Sequence, residues 1–495
     1  MIFWRVKPLD QILATAEKKS LKRQLGPIQL TLLGIGAVIG TGIFVLTAEA
    51  GQKAGPGMMI AFVIAAIVCA LAALAYAELA AMIPVSGSAY TYTYGVLGEF
   101  IAWIVGWALG LEYAIGASTV CVGWAGYMNG LLTANGYALP EFLRSGLFSG
   151  GAFNLLAFLI GLAVTILLYI GTSKSARVNA VLVTIKIIAL TVFIFLALPA
   201  VNSTNFEPFL PGGWGSPTGG VGVLGAAASI FFAYVGFDAV STAAEETKNP
   251  QRNIPIGLIA SLGICTIYYL LVGYSAAGSV GAHPMLGADG LPIDPSSPLM
   301  VAACEGSQAL VCSKEPLAHV MRLLGHSTVG NWIGIAAILA LPSVILMMMF
   351  GQTRVFFTMS RDGLLPDVLS KVHPRFHTPH VITLITGIVV ATAASQLPVG
   401  LLADTSNSGT LLAFAMVAIG VLILRKQQPD RPRPFRTPMV WFVCPLAVFG
   451  CLLLFWNLST FAKEFFVCWA AFGLVLYRFY GYRRSHLANG TSSPN

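Results

Sequence analysis

Long apolar segments recur along the chain, and short polar segments separate them. An α-helix needs about 20 predominantly apolar residues to cross a bilayer. The pattern therefore predicts an all-α integral membrane protein with twelve transmembrane helices. The predicted spans are residues 28–49, 57–83, 99–131, 152–171, 177–200, 222–246, 254–280, 331–358, 379–397, 409–425, 439–458 and 463–481.

The spans divide the chain into two halves and a final pair. We predict a cytoplasmic N-terminal lead at 1–27, a first repeat at 28–200 (spans 1–5), a second repeat at 222–425 (spans 6–10) with a long outside loop at 281–330, a pair of spans at 439–481 and a cytoplasmic tail at 482–495. Because each half has five spans, the two halves cross the membrane in opposite directions, as inverted repeats do.

Span 1 contains four glycines within Gly34–Gly42. A glycine inside a helix costs about 1 kcal/mol relative to alanine, so this segment favours an interruption of the helix. Backbone groups released by an interruption cannot face lipid and must line a cavity. The glycines alone are equally compatible with close approach of another helix to an unbroken span.

Span 6 has the same feature at the corresponding place in the second half. Gly236 lies at mid-depth within Ser229–Ser241, and Asp238 follows it. Interrupted spans at matching positions of two inverted repeats indicate a substrate site near the bilayer midplane. We therefore predict that Gly40 and Gly236 support two breaks beside a binding site.

Composition and charge agree with a membrane protein. Of 495 residues, 56% are hydrophobic and 10% are charged, against a usual charged share of about 25%, and the mean hydropathy is +0.79. The net charge of +8 does not indicate a nucleic-acid partner, because most Lys and Arg residues lie on segments predicted to be cytoplasmic. The exceptions are Lys53, Arg144, Lys314, Arg322 and Lys463 on outside segments and Lys186 within a span. Residues 1–27 lack the apolar core of a signal peptide. We expect a multi-pass protein of the plasma (inner) membrane with cytoplasmic N- and C-termini.

Cysteines and histidines do not form a predicted metal site. Six of the seven histidines fall outside the spans, His380 is the second residue of span 9, and the cysteines within spans are typical small packing residues. Cys304 and Cys312 lie in the loop 281–330. The sequence is compatible with a disulfide between them and equally with two free thiols. We expect neither a metal nor a cofactor.

Lys186 and Glu112 place charges inside predicted spans. Lys186 follows Arg177 by nine residues, which at 1.5 Å per residue places it about 13.5 Å into a core of about 30 Å. A basic residue at that depth costs at least about 2.5–3.5 kcal/mol. We predict a proton or ion site at Lys186, with pairing to backbone carbonyls purely for packing as the alternative.

Five segments also share a pattern with a known group of proteins. They are Gly34–Val45, Pro84–Tyr90, Phe231–Arg252, Gly351–Arg354 and Ser360–Gly363. Together they resemble the amino acid–polyamine–organocation (APC) superfamily, most closely its cationic amino acid transporter (CAT) branch in bacterial twelve-span form. The resemblance implies a LeuT-like 5+5 inverted repeat with discontinuous helices 1 and 6, and transport by alternating access.

The resemblance also implies which residues contact a substrate. The backbone amides of Thr41 and Gly42 would hold a carboxylate, in agreement with the attraction of a helix N-terminus for anions. The carbonyl groups that would receive an ammonium are those of Val38, Phe232, Ala233 and Val235. A free α-amino acid carries both charges on one carbon.

Three charged residues and a methionine complete the implied site. Lys186 matches a family position at which a span 5 lysine takes the place of a sodium ion beside span 1. A charged amine there would hold span 1 carbonyls and a neutral amine would release them, and burial favours loss of the proton. Glu112 matches a pocket-facing glutamate that pairs with a basic side chain, supports span 6 or binds a proton. Asp238 is a second support, and Met348 is expected to line the pocket.

The implied function is a secondary active transporter, a proton-coupled symporter (permease) that imports L-amino acids, and not an enzyme. An amino acid exchanger and a non-transporting amino acid sensor are the alternatives. Exchangers of the light-chain type join a partner glycoprotein through a cysteine between spans 3 and 4. Residues 132–151 contain none, so we expect no obligate disulfide-linked heavy chain. The family name favours cationic substrates, whereas Met348 in the pocket would favour small neutral ones.

Overall fold

The computed structural model describes residues 5–6, 25–84, 88–171, 176–215, 219–288, 290–295 and 297–487. Within these ranges the regular structure is helical, no β-strand forms, and strand-like pairing is limited to isolated bridges such as Leu25 with Thr247. Most of the predicted lead 1–27, the end of the predicted tail and part of the Pro84–Tyr90 segment lie outside the described residues.

The helices are numbered in chain order. They are α1 (Pro27–Val38), α2 (Thr41–Phe44), α3 (Leu46–Ala54), α4 (Met58–Met82), α5 (Ser88–Val96), α6 (Glu99–Ala134), α7 (Leu155–Ile170), α8 (Ala176–Ala197), α9 (Gly222–Tyr234), α10 (Ala239–Thr242), α11 (Pro250–Val280), α12 (Pro298–Ala303), α13 (Pro316–Leu323), α14 (Ser327–Arg361), α15 (His380–Gln396), α16 (Val399–Gln427), α17 (Val440–Trp456), α18 (Thr460–Leu476) and α19 (Tyr482–Arg484). A π-helical turn, Tyr477–Gly481, joins the last two.

Seven helical segments in the described ranges are long and apolar enough to cross a membrane. They are Leu46–Met82, Glu99–Ala134, Val178–Ala200, Pro250–Val280, Ser327–Arg361, Val399–Gln427 and Thr460–Arg484. Five shorter apolar helices accompany them: α1, α7, α9, α15 and α17. Each of the twelve predicted spans overlaps one of these segments. The chain is therefore an all-α, multi-pass membrane protein.

One helix boundary differs clearly from the prediction. α16 begins at Val399, whereas the apolar pattern placed the start of span 10 at residue 409. The first turns of α16 contain the polar residues Asp404 to Ser408, all of which are buried. These residues lower the mean hydropathy of the start of α16. The sequence pattern there is therefore that of a loop, although the segment is a helix inside the bundle.

Both predicted interruptions are present. α1 ends at Val38, Ile39 is extended, Gly40 is non-helical, and α2 begins immediately afterwards. α9 ends at Tyr234 and is followed by an extended Val235. Gly236 has a φ of +115°, which residues with a side chain rarely adopt. The second break therefore depends on a glycine at this position.

The two interrupted segments also touch where they cross. A Cβ atom on Gly42 would overlap with Cα of Ala233, and one on Gly236 would lie 2.9 Å from the carbonyl oxygen of Ala37. The glycines therefore have both of the roles that the sequence suggested as alternatives. They interrupt the helices, and they let the two backbones approach closely.

A buried charge network holds one end of the bundle together. Glu78 of α4 accepts hydrogen bonds from Nε and Nη2 of Arg425, at 2.8 and 2.9 Å, and from the N–H of Thr437 at 2.8 Å. Nε of Arg433 lies 3.3 Å from the same carboxylate. The basic segment between α16 and α17 is therefore neutralised in part by a carboxylate of α4.

The loop between α11 and α14 packs against α3. Cys304 and Cys312 form a disulfide within it, so the bonded state is the one present. The side chain of Gln52 on α3 donates to the carbonyl oxygens of Met285 and Ile293, each at 2.9 Å, and accepts from the N–H of Met285 at 2.8 Å. These bonds fix the start of the loop to the helix that follows the first break.

Replacing Glu78 by alanine is expected to destabilise the protein, because Arg425 and Arg433 would lose their buried carboxylate. Removal of one partner from a buried ion pair costs on the order of 3–5 kcal/mol. The measurement is the thermal unfolding midpoint in detergent. Glu141→Ala, which removes an exposed acid, is the control. Equal midpoints for the two variants would contradict a structural role for the network.

Candidate functional site

The break in the first helix presents backbone N–H groups. α2 is a single turn that begins at Thr41, and no side chain caps it. The first N–H groups of a helix have no acceptor within the helix, and its N-terminus carries a partial positive charge. The amides of Thr41 and Gly42 are therefore donors suited to an anion. Oγ1 of Thr41 is buried and has no hydrogen-bond partner among the described residues.

Carbonyl groups released by the two breaks meet at one tyrosine. The hydroxyl of Tyr269 on α11 lies 2.7 Å from the carbonyl oxygen of Val38 and 2.9 Å from that of Ala233. Its single hydrogen is therefore shared between the two interrupted segments. The carbonyl oxygen of Phe232 accepts from the N–H of Val235 at 3.2 Å. Each carbonyl oxygen has two lone pairs, so these groups keep the capacity to accept from a ligand.

A second tyrosine holds the far end of α2. The hydroxyl of Tyr127 on α6 donates to the carbonyl oxygen of Phe44 at 2.7 Å, and the two rings meet edge to face. The sequence-based site included neither Tyr127 nor Tyr269. Their position in the sequence could have indicated them, because a tyrosine deep in a span needs a hydrogen-bond acceptor for its hydroxyl.

Lys186 contacts the first helix just before its break. Its side chain is fully buried, and Nζ donates to the carbonyl oxygen of Gly36 at 2.8 Å. Val183, one turn earlier on α8, packs so closely that a Cβ on Gly36 would lie 2.7 Å from its Cγ2. Among the described residues Lys186 forms no ion pair. The amine is therefore held by a backbone carbonyl group of α1.

Two buried acidic side chains are electrostatic neighbours next to the second break. Asp238 accepts from the hydroxyl of Tyr113 at 2.8 Å. The carboxyl oxygens of Glu112 have no hydrogen-bond partner in the described part of the chain, and the nearby Thr410 hydroxyl donates instead to the carbonyl oxygen of Ser406 at 3.3 Å. The same Ser406 donates its own hydroxyl to the Glu112 carbonyl at 2.8 Å. Glu112 is thus fixed by its backbone while its carboxyl group stays available.

Met348 lies on a face of α14 that runs along the first break. A Cβ on Gly40 would lie 3.4 Å from Val344, and one on Gly116 of α6 would lie 3.0 Å from Sδ of Met348. Val344 and Met348 are one helical turn apart. This face therefore extends from the break to the turn of α6 that follows Glu112.

The predicted residues thus form two groups around the crossing. The first group lies on the interrupted segments themselves and comprises Val38, Gly40, Thr41, Gly42, Phe232, Ala233, Val235 and Gly236. The second group approaches from the surrounding helices and comprises Glu112, Lys186 and Met348, with Asp238 immediately after the second break.

A polar cluster that the sequence pattern did not reveal joins α3, α9 and α16. Nζ of Lys53 lies 2.5 Å from Oγ of Ser229 and 3.2 Å from Oδ2 of Asp404. Ser229 donates to the other oxygen of Asp404, and the N–H of Ser459 donates to Oδ2 at 3.2 Å. Lys53 and Asp404 are only 2% and 1% exposed. The sequence placed Lys53 on an outside segment, whereas the structure buries it in an ion pair.

Comparison with known proteins assigns the family. A family model described as amino acid permease matches residues 25–477. The chain belongs to the amino acid permease family. Membership in the APC superfamily, which the sequence motifs implied, is thereby confirmed.

The permease is similar to several named transporters, two of them over nearly its whole length. It is 44% identical over 492 residues to the branched-chain amino acid permease BcaP of Bacillus subtilis (strain 168), which covers 98% of this chain and 99% of that protein. It is 40% identical over 487 residues to the methylthioribose transporter of the same organism, with the same coverage. Cationic amino acid transporter 4, vacuolar, of Arabidopsis thaliana is 35% identical over 418 residues, which cover 83% of this chain and 64% of that protein. The chain is therefore a transport protein and not an enzyme.

Replacing Tyr269 by phenylalanine is expected to lower the thermal unfolding midpoint in detergent. The change removes the shared donor from two buried carbonyl groups, and a buried group left without a partner costs about 1–3 kcal/mol. Tyr268→Phe is the matched control, because its hydroxyl pairs with Thr191 at a partly exposed position. A midpoint for Tyr269→Phe equal to that of the control would show that the shared hydroxyl does not stabilise the crossing.

Proposed function

We propose that this permease is a proton-coupled symporter that imports L-amino acids across the plasma (inner) membrane by alternating access. The observation that carries the proposal is the 2.8 Å hydrogen bond from Nζ of Lys186 to the carbonyl oxygen of Gly36. A buried amine holds the last turn of α1, just ahead of the break. Hydrogen bonds from a charged donor are about twice as strong as neutral ones, so loss of the proton would loosen this turn.

The proposed architecture is a twelve-span, LeuT-like 5+5 inverted repeat. In this arrangement the five shorter apolar helices also cross the membrane. Discontinuous helix 1 lies within α1 to α3, and discontinuous helix 6 consists of α9 and α10. The repeats are residues 28–200 and 222–425, and both termini are cytoplasmic. Breaks at matching positions of the two halves support this arrangement.

An α-amino acid fits the groups at the crossing. Its carboxylate would accept hydrogen bonds from the amides of Thr41 and Gly42, where the partial charge of α2 is positive. Its ammonium would donate to carbonyl oxygens of Val38, Phe232, Ala233 or Val235, through lone pairs that the protein donors leave open. The substrate would thus replace the missing backbone partners at both breaks.

Glu112 and Asp238 offer a second place for a proton. Two ionised carboxylates side by side in a dry interior repel each other, so a shared proton would stabilise the pair. Asp238 lies directly after the second break, so protonation of the pair would act on the segment opposite the one held by Lys186. We infer that the two sites together connect proton binding to both interrupted helices.

The proposed substrates are amino acids with uncharged side chains, branched-chain ones among them. The pocket face of α14 presents Met348, whose bulky apolar side chain suits an apolar substrate better than a long cationic one. The 44% identical relative is named a branched-chain amino acid permease, and the named cationic transporter is a more distant relative.

A second candidate substrate is methylthioribose, because a relative that transports it is 40% identical over 98% of this chain. That compound has neither a carboxylate nor an ammonium, so it would meet the same amides and carbonyls through hydroxyl groups. Uptake of labelled leucine and labelled methylthioribose by the same vesicles distinguishes the two candidates.

Lys186→Ala is expected to lose proton-driven accumulation. Proteoliposomes with an inward proton gradient should accumulate labelled leucine above equilibrium with the wild-type protein and fail to do so with the variant. Lys426→Ala, which removes an exposed amine, is the control and should accumulate leucine normally.

Three outcomes would contradict this assignment. Wild-type uptake that ignores the gradient would reject proton coupling, and uptake that requires internal substrate would indicate an exchanger. Saturable binding without uptake would indicate a sensor.

Met348→Ala is expected to admit larger side chains. The inhibition constant of arginine against leucine uptake should fall relative to that of valine, on the order of ten-fold. One or a few methylene groups of pocket space change discrimination between substrates by about that amount. Met347→Ala, the preceding methionine on α14, is the control. An unchanged ratio in Met348→Ala would remove this residue from the pocket wall.

A further inference from the structure

A cavity of about 360 Å³ lies between α7, α14 and the start of α15. None of the residues that line it belongs to the candidate substrate site. Its wall includes Ile170, Phe350, Thr353, Arg354, His377 and Thr383. Thr353 and Arg354 belong to the Gly351–Arg354 segment, which contributed to the family resemblance but has no place at the crossing of the interrupted helices.

The position of the cavity fits the edge of the hydrocarbon layer. α14 has 35 residues, about 52 Å at 1.5 Å per residue, and so extends beyond a core of about 30 Å. Arg354 lies seven residues before its end. Tyr169, at the end of α7, packs against the rings of His373 and Phe376 at 5.6 and 5.8 Å. Aromatic residues of this kind are typical of the membrane interface.

The cavity lies next to a concentration of basic side chains. Residues 371–380 include Lys371, Arg375 and three histidines, and no acidic residue occurs among them. Within the cavity wall, the guanidinium of Arg354 lies 4.6 Å from the ring centroid of Phe350. This contact favours a position of the exposed cation beside the cavity. Basic pockets between membrane-spanning helices are suited to anionic lipid headgroups.

Apolar side chains next to the cavity face outward. Ile166 and Ile170 of α7 are 60% and 50% exposed, and Leu167, Leu384 and Ile385 are exposed as well. In a bilayer these faces contact acyl chains. The region therefore combines a cationic cavity with an apolar surface beside it, as a phospholipid requires.

We propose that this cavity binds the headgroup phosphate of an anionic phospholipid, with Arg354 contacting the phosphate and the apolar faces of α7 and α15 contacting the acyl chains. The guanidinium can form two parallel hydrogen bonds with phosphate oxygens. His377 is a further polar group of the wall. The hydroxyls of Thr353 and Thr383 donate to the carbonyl oxygens of Phe350 and Pro379, at 2.9 and 2.8 Å, and can accept hydrogen bonds from headgroup hydroxyls. The site is separate from the proposed proton pathway and does not depend on it.

The test measures thermal stabilisation of the purified full-length protein in detergent by added phosphatidylglycerol, phosphatidylcholine or inorganic phosphate. Phosphatidylglycerol is expected to raise the wild-type midpoint more than the other two. Arg354→Gln should raise the apparent dissociation constant for phosphatidylglycerol roughly ten-fold, the loss of about 1.4 kcal/mol expected for a charge-assisted contact.

Arg361→Gln is the matched control. Arg361 lies on the same helix and stacks on Phe357, four residues earlier, at 5.7 Å, just as Arg354 stacks on Phe350, but it does not line the cavity. Arg361→Gln should keep the wild-type response. If Arg354→Gln folds poorly, Arg354→Lys keeps the charge but removes the planar fork, and it should prefer phosphatidylglycerol with a weaker response than the wild type.

Three results would overturn the proposal. Equal stabilisation by phosphatidylglycerol and phosphatidylcholine would show that the charge of the headgroup is not recognised. Equal losses in Arg354→Gln and Arg361→Gln would show that the cavity is not where the lipid binds. An equal response to inorganic phosphate would identify the ligand as a soluble anion and not a lipid.

Discussion

A polypeptide inside a membrane has to satisfy every backbone N–H and C=O group without the help of water. Two helices of this permease stop partway, and the released groups define the centre of the molecule. The Tyr269 hydroxyl serves carbonyls of both segments, Tyr127 serves the end of α2, and Lys186 holds the last turn of α1. The amides of Thr41 and Gly42 begin a turn that no side chain caps. The carbonyl groups named here have hydrogen-bond donors within the protein, whereas the amides at the start of α2 have no side-chain acceptor.

The surrounding helices position these partners from several directions. α6 packs against both α14 and α16. It places Tyr113 and Glu112 beside Asp238 after the second break, and Tyr127 at the end of α2. The interrupted segments meet through Gly42 and Gly236, where even a methyl group would force the backbones apart. The fold therefore places close backbone contacts and buried polar groups without a partner, such as Oγ1 of Thr41, within the same region. A ligand bound there can change the balance between conformations.

Much of this centre is predictable from local sequence. Clustered glycines identify the breaks, because a glycine-rich run in an apolar span is unfavourable as a helix, and the depth of Lys186 identifies a buried amine that needs an acceptor. The partners of these groups are not predictable in the same way. Tyr269 is 231 residues away from Val38, and nothing in either local pattern specifies the contact. The start of α16 is hidden for another reason, since the residues from Asp404 to Ser408 are polar yet buried, and hydropathy cannot distinguish a polar residue that faces protein from one that faces water.

The ion pair between Lys53 and Asp404 has a consequence for any conformation in which α3 and α16 separate. Both charged groups are shielded from solvent where they now lie, and separating them in a dry medium would leave two isolated ions at a very high electrostatic cost. Either water must enter to hydrate each ion, or a proton must pass from Lys53 to Asp404 before the two groups part. Movement at this end of the bundle is therefore tied to solvent entry or to proton transfer within the pair.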